Sequence, residues 1–151
     1  MRHIGAVVIA LVLVLFMVHN TLGYSIDSVS FDNGVRVNVE LAETPMAQSR
    51  GLMEHENLDD SAGMLFIFST EEEHSFWMKN MSFPIDIIWI DSNFKVVDIT
   101  KNTPACIEDP CPSYVPKKPS KYVLEVSAGF SDKYAIDVGN GLTLEQSGST
   151  Q

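Results

Sequence analysis

A chain of 151 residues, 45% hydrophobic and 20% charged, has room for one packed domain and is too apolar for a disordered one. Its formal net charge of −10 and pI near 4.6 argue against nucleic acid and against anionic lipid headgroups as partners, because both present phosphates.

The first 23 residues, "MRHIGAVVIALVLVLFMVHNTLG", place Arg2 ahead of an apolar run from Ile4 to Val18. That run is shorter than the roughly 20 residues that span a bilayer squarely. It predicts a secretory signal over 1–23, with Thr21 and Gly23 as the small residues before Tyr24. The alternative is an uncleaved N-terminal anchor stretched by His19, Asn20 and Thr21. Both put a single β-rich domain over 24–146 in an extracytoplasmic space, secreted or tethered to the outer face of the cytoplasmic membrane. Membrane contact is then expected only through the N-terminal segment.

"VRVNVEL", Val35 to Leu41, alternates apolar and polar residues and predicts a half-buried strand with Val35, Val37, Val39 and Leu41 inward. "ETPMAQSRGLMEHE" predicts one short helix: Thr44 suits the N-cap, Pro45 the first turn, and Gly51 bends or ends it. "MLFIF" is a continuous apolar strand, "STEEEHS" a solvated acidic turn, and "FWMK", "IDIIWI" and "KVVDIT" further strands. "KYVLEVSAG" reads as strand then turn, "LTLEQ" closes the fold, and 147–151 is a polar tail. About seven short strands and one helix predict a mainly β, α+β domain, compact, mostly antiparallel and barrel-like.

The Pro-rich connection "NTPACIEDPCPSYVPKKPSK" holds Cys106 and Cys111, the two cysteines of the chain. In an oxidising compartment, two cysteines this close predict one disulfide, with Asp109-Pro110 turning the chain between them. A redox pair is the weaker reading, since the spacing is not CxxC. A zinc site would need two more ligands, and His55 and His74 are the histidines beyond the leader. Met46, Met53, Met64 and Met78 read as packing rather than copper ligands. No metal and no cofactor is expected.

Polar residues inside apolar strands are the candidate functional groups. In "IDIIWI" the face with Ile85, Ile87 and Trp89 is apolar, so Asp86 shares a buried-looking face with Ile88 and Ile90. A buried carboxylate needs a partner. Lys79 is the nearest cation in sequence, and Arg50 is the other candidate. One reading makes Lys79 and Asp86 a buried structural pair, with Asn80 satisfying backbone in the turn. A second puts Trp77, Lys79 and Asn80 on a pocket wall, with Lys79 reading an anionic or hydroxylated ligand. A third is a catalytic lysine–aspartate pair. No serine elbow, HExxH motif or phosphate loop is present. The sequon at Asn80 lies in an apolar stretch and is expected to stay unmodified.

The segments "VNVELAETPMAQSRGLM", "GMLFIF", "SFWMKNMSFPIDIIWID", "KVV", "PCPSY" and "YVLEVSAG", in that order, resemble the domain of unknown function 192 family. The resemblance covers about Val35 to Leu144. It implies that Arg50, Gly51, Met53, Trp77, Lys79, Asn80, Pro84, Asp86, Asp91 and Glu125 are characteristic positions. It also implies a barrel-like β domain with a short helix, and "PCPSY" resembles the secreted, disulfide-containing members. A departure is Ala135, where the family commonly carries glycine. The resemblance carries no biochemical role.

The sequence therefore predicts an extracytoplasmic, non-catalytic ligand-binding or accessory module of the cell envelope. The expected ligand is a small molecule, a glycan or a protein, and the expected state is a monomer. Two rivals remain open at this point. One is an envelope hydrolase using Asp86, Asp91 or Glu125 as acid–base groups. The other is a structural interaction protein with an exposed apolar patch and no concave site.

Overall fold

A computed structural model describes residues 25–146, so the expected leader over 1–23 and the expected tail over 147–151 lie outside the described residues. Within Ile26–Glu145, a compact unit, the elements follow the chain as β1 (Ile26–Phe31), β2 (Arg36–Ala42), α1 (Pro45–Arg50), β3 (Ala62–Glu72), β4 (Phe76–Trp77) and β5 (Ile85–Ile90). Then come β6 (Val96–Thr103), β7 (Ser113–Tyr114), β8 (Ser120–Ser127), α2 (Phe130–Lys133) and β9 (Leu142–Gln146). Seven strands form one sheet in the order β6-β5-β8-β3-β2-β1-β9, and β4 and β7 pair separately. The pairings β1–β2, β3–β8, β5–β8 and β5–β6 are antiparallel, whereas β2 and β3 run parallel. The fold is thus mainly β with two short helices.

The two faces of the sheet each bury a core. Val29, Val37, Leu65, Ile88, Ile90, Leu124 and Val126 pack on one side, with Phe130 and Ile136. Met64, Phe66, Ile85, Ile87, Trp89 and Val123 pack on the other, with Leu52 and Met78. Every residue of β5 is buried because the strand lies inside the sheet with a core on both faces. This is why its sequence is nearly unbroken apolar.

The mainly β, mostly antiparallel expectation holds, and the sheet stops short of a closed barrel. Its edge strands meet at a single antiparallel bridge, Lys95 with Gly141. Across it Val96 N donates to Asn140 O at 2.9 Å and Leu142 N to Phe94 O at 3.0 Å. The register explains the gap. Val96, at the start of β6, faces the turn before β9, while Leu142, at the start of β9, faces the turn before β6. Neither edge has a strand to pair with beyond the bridge. The Asp32 carboxylate, which accepts from Gly141 N at 3.0 Å, occupies the space a side chain would need at Gly141.

The predicted Lys79–Asp86 pair also does not form. Asp86 is fully buried, but its carboxylate accepts from three backbone donors: Asn102 N at 2.8 Å, Gly129 N at 3.2 Å and Ser131 N at 2.9 Å. Oriented amides stabilise a buried carboxylate without a cation. Asp86 thereby ties the end of β6 and the start of α2 to β5. The segment after β8, read as a turn, contains α2; four residues are too few for a helical period to show in the sequence. Ala135 carries φ of 51°, the left-handed conformation that explains a glycine preference at this position.

These contacts set the outcomes expected in denaturant unfolding of the protein. Asp86→Ala strands three amides and is expected to cost about 3 to 5 kcal/mol, against at most about 1 kcal/mol for Lys79→Met. The double mutant should be additive within about 0.5 kcal/mol; a larger coupling would restore the direct pair. Ala135→Gly relieves the left-handed alanine and should gain about 1 kcal/mol.

Candidate functional site

The crossover from β2 to β3 builds the first wall. Thr44 caps α1 by accepting from Ala47 N at 3.2 Å, and Pro45 fills the first turn. Gly51 ends the helix with φ of 49°, its N–H donating to Ala47 O. Gln48 anchors the helix to the sheet: its Nε2 donates to Ala42 O at 3.2 Å, at the end of β2, and to Ile67 O at 2.8 Å, midway along β3. Leu52 then buries itself in the core below.

The second wall is β4 and the segment after it. Phe76 and Trp77 pair with Tyr114 and Ser113 of β7, and Cys106 N donates to Met78 O at 3.0 Å. The predicted disulfide joins Cys106 and Cys111. The loop it closes carries Asp109, which takes the Lys79 ammonium at 2.9 and 3.1 Å. Further along the connection, Asp98 of β6 accepts from Lys117 N at 2.9 Å. Phe76 sets its ring edge-to-face with Phe66 at 4.9 Å and with Trp89 at 5.2 Å, and Phe68 stacks on His74 at 3.6 Å.

Between the walls is a cavity of about 220 Å³, lined by α1 and Gly51 on one side and by Phe66, Phe68, Phe76, Trp77 and Lys79 on the others. Glu125 of β8 also lines it. It sits opposite Met64 of β3 and Ile87 of β5, so it points to the same face as the second core. Its residue is 5% exposed, and no described residue gives its carboxyl a hydrogen bond or an ion pair. Burial pushes its pKa up to about 8. A Cβ placed on Gly51 would stand 3.4 Å from the Phe66 ring and 4.0 Å from Glu125 Oε2. Glycine there serves both the helix end and the clearance above Glu125.

Of the predicted site residues, the cavity brings together Arg50, Trp77, Lys79 and Glu125. Arg50 and Trp77 are exposed at its mouth; Arg50 lies 3.7 Å from Glu54, and Lys79 Nζ lies 5.6 Å from the Trp77 ring centre. Asn80 is in an exposed turn with φ of 58° and does not line the cavity. Asp86 faces away: it pairs in register with Val126, on the opposite face from Glu125. Asp91 sits in the β5–β6 turn, accepting from Asn93 N and Lys95 N at 2.9 Å each. The three carboxylates proposed for a hydrolase therefore lie in three different places, and no two flank one cleft. Among the described residues, no three of His, Cys, Asp and Glu cluster as a metal site.

Gln48, Phe68, His74 and Phe76 line the cavity without having been singled out. The spacing Met64, Phe66, Phe68 was the available signal for Phe68, since it extends one face of β3. His74 was hidden in an acidic stretch read as solvated. Gln48 looks like any polar helix residue until the carbonyls of Ala42 in β2 and Ile67 in β3 stand beside it.

Comparison with known proteins places this geometry. Residues 28–144 match the model of DUF192, described as "Uncharacterized ACR". A UPF0127 protein of Pyrococcus furiosus is 28% identical over 113 residues, which cover 72% of this chain and 87% of the relative. A protein of unknown function from Novosphingobium aromaticivorans superposes with a TM-score of 0.72 at 28% identity, covering 82% of this chain and 88% of that one. A structure titled as a putative transcription regulator from Sinorhizobium meliloti gives 0.71 at 28% identity, covering 82% and 96%. The crossover helix, the cavity and the buried carboxyl thus belong to a member of the DUF192 family, whose function is unknown.

Proposed function

We propose that this chain is a non-catalytic ligand-binding module of the cell envelope, and that the cavity over Glu125 holds its ligand. The observation that carries the reading is a carboxyl buried at the base of an aromatic-lined cavity without a partner. Desolvating such a group is unfavourable unless something compensates, and nothing described in the protein does. Groups kept against the interest of stability are enriched at sites. A volume of about 220 Å³ suits a small molecule or one unit of a larger one. The separation of Asp86, Asp91 and Glu125 argues against acid–base hydrolysis. The concave, aromatic-lined site argues against a purely structural partner.

The Cys106–Cys111 disulfide and the apolar run from Ile4 to Val18 support an extracytoplasmic location, secreted or tethered. Among the described residues, no helix is long and apolar enough to cross a membrane. The charge of −10 favours leaving nucleic acid out of this reading, including for the regulator title of the Sinorhizobium neighbour. The module is read as acting as a monomer.

The burial of Glu125 has a measurable consequence. With a folded pKa near 8 against an ordinary value of 4.5, the folded state holds a proton that the unfolded state has lost between those two pH values. Stability contributed by this group therefore falls as pH rises from about 4.5 to about 8 and is level outside that window. Glu125→Gln should match wild type near pH 4 and exceed it by a few kcal/mol at pH 8 in urea unfolding. A difference that does not change with pH would mean the carboxyl is solvated or paired.

Binding is read directly from the two tryptophans. Titration of the isotope-labelled domain with pooled small polar metabolites should shift the Trp77 indole and Gly51 amide saturably. The Trp89 indole, which donates to Thr100 Oγ1 at 3.2 Å in the core, should stay in place. The ligand should be recovered unchanged. Turnover that vanishes in folded Glu125→Gln would make the protein an enzyme, and the absence of any saturable shift at the cavity would remove the binding reading.

A further inference from the structure

We propose that the ligand of this cavity is a small organic ammonium ion, held with its charge against the Glu125 carboxylate and its carbon chain among Phe66, Phe68, Phe76 and Trp77. This inference rests on the reading of the cavity as a ligand site and names the chemistry that site selects.

Charge balance around the cavity makes the first argument. Arg50 and Lys79 are the cations that line it, and each already has an acid: Glu54 at 3.7 Å and Asp109 at 2.9 Å. His74 stacks on Phe68 and places Nε2 3.2 Å from Thr70 O. From β3 and β5 the residues opposite Glu125 are Met64 and Ile87, which carry no charge. Glu125 is thus the titratable group of the cavity that lacks a partner. An anionic ligand would hold this carboxyl in its neutral form and repel the ionised one, whereas a cation supplies the partner that the ionised form lacks.

The second argument is the wall. Four aromatic rings line one small space, and the negative face of an aromatic ring attracts an alkylammonium group more strongly as water is excluded. The third is the long-range field. A net charge of −10 draws cations toward the surface and repels anions. Lys79, read from the sequence as a reader of anionic ligands, is already neutralised by Asp109 from the disulfide-closed loop.

Binding then couples to a proton. Burial leaves the empty carboxyl protonated at neutral pH, with a pKa of about 8. An incoming ammonium favours the ionised form, so one proton leaves Glu125 for solvent as the ligand enters. The bond broken is the carboxyl O–H, and the pair formed is ammonium and carboxylate. Below pH 8 the ionised fraction drops tenfold per unit, so affinity should rise by up to about tenfold per unit from pH 6 to 8 and then level off. An alkylamine keeps its own proton throughout that range, with a pKa of about 10.

The test titrates the full-length protein with butylammonium, and with 1-butanol and butyrate as neutral and anionic chains of the same length. Shifts of the Trp77 indole and Gly51 amide give the affinities, and calorimetry in two buffers of different ionisation enthalpy gives the proton released. The expected result is saturable butylammonium binding at pH 8, at least tenfold tighter than either analogue, with close to one proton released at pH 6.5. Glu125→Gln should lose the ammonium preference and the pH slope while still accepting butanol. Trp77→Ala, at an exposed site, tests the wall without threatening the core and should weaken all three. If butanol or butyrate binds as tightly as butylammonium, the cation inference fails and the cavity stands as a ligand site of other chemistry. If none of the three perturbs the cavity, the cation inference fails, and the metabolite titration alone then judges the binding reading. A butylammonium affinity that ignores both pH and Glu125→Gln would also overturn it.

Discussion

The parallel pairing of β2 with β3 is the constraint from which the candidate site follows. Two adjacent antiparallel strands need only a tight turn, but two adjacent parallel ones need the chain to return across a face of the sheet. Here the return is residues 43–61, and α1 is its helical part. Gln48 fixes the helix by donating to carbonyls of both strands that it connects, Ala42 at the end of β2 and Ile67 midway along β3. The end of α1 therefore lies over β3 and β8, with Gly51 against Phe66 and above Glu125. On an uncovered antiparallel face, Glu125 would be an ordinary solvated acid. The crossover is what shields it from bulk solvent, and Phe76 and Trp77 line the cavity from the other side.

Asp86 and Glu125 show how a sheet sends similar acids to opposite ends. Both interrupt apolar strands, in "IDIIWI" and "YVLEVS", and β5 and β8 are direct neighbours. Because Glu125 pairs with Ile87 and Asp86 with Val126, the two side chains point to opposite faces. On its face Asp86 meets three backbone amides from the β6 end and the α2 start, and becomes part of the fold. On the other face no described residue donates a hydrogen bond to Glu125, although polar side chains line the same cavity. The same chemical group is structural where the backbone turns its N–H groups toward it, and a candidate for binding where it does not.

This contrast also separates what could be read in the sequence from what could not. Alternation in "VRVNVEL", the apolar run "IDIIWI" and the Thr44, Pro45, Gly51 punctuation of α1 are local signals, and the structure follows them. The disulfide was legible for the same reason, since Cys106 and Cys111 are close along the chain. Partners brought together by distant segments were not. Lys79 reaches Asp109, thirty positions on, because β7 and the bridge at Cys106 draw the long connection beside β4. Asp86 was assigned the nearest cation because sequence reading counts side chains and cannot see three amides converging. The open sheet was hidden too, since closure depends on the register of Lys95 with Gly141 and not on how many strands there are.

The walls of the cavity are held with unequal strength, and this bears on how a ligand would enter. Glu125, Phe66 and Leu52 belong to the core and move only if the sheet does. The opposite wall rests on a two-residue pairing of β4 with β7, one amide from Cys106 to Met78, and an exposed ion pair between Lys79 and Asp109. Such thin, solvent-facing pairings sit at the low-stability end of a protein. The disulfide limits the freedom of the loop that carries Asp109, and Asp98 pins the connection farther along at Lys117. If a ligand enters as proposed, the Trp77–Lys79 side is the wall expected to yield, while the buried carboxyl beneath it stays in place. On the proposed binding reading, that division would give a small domain a fixed recognition group and an adjustable mouth without asking its core to breathe.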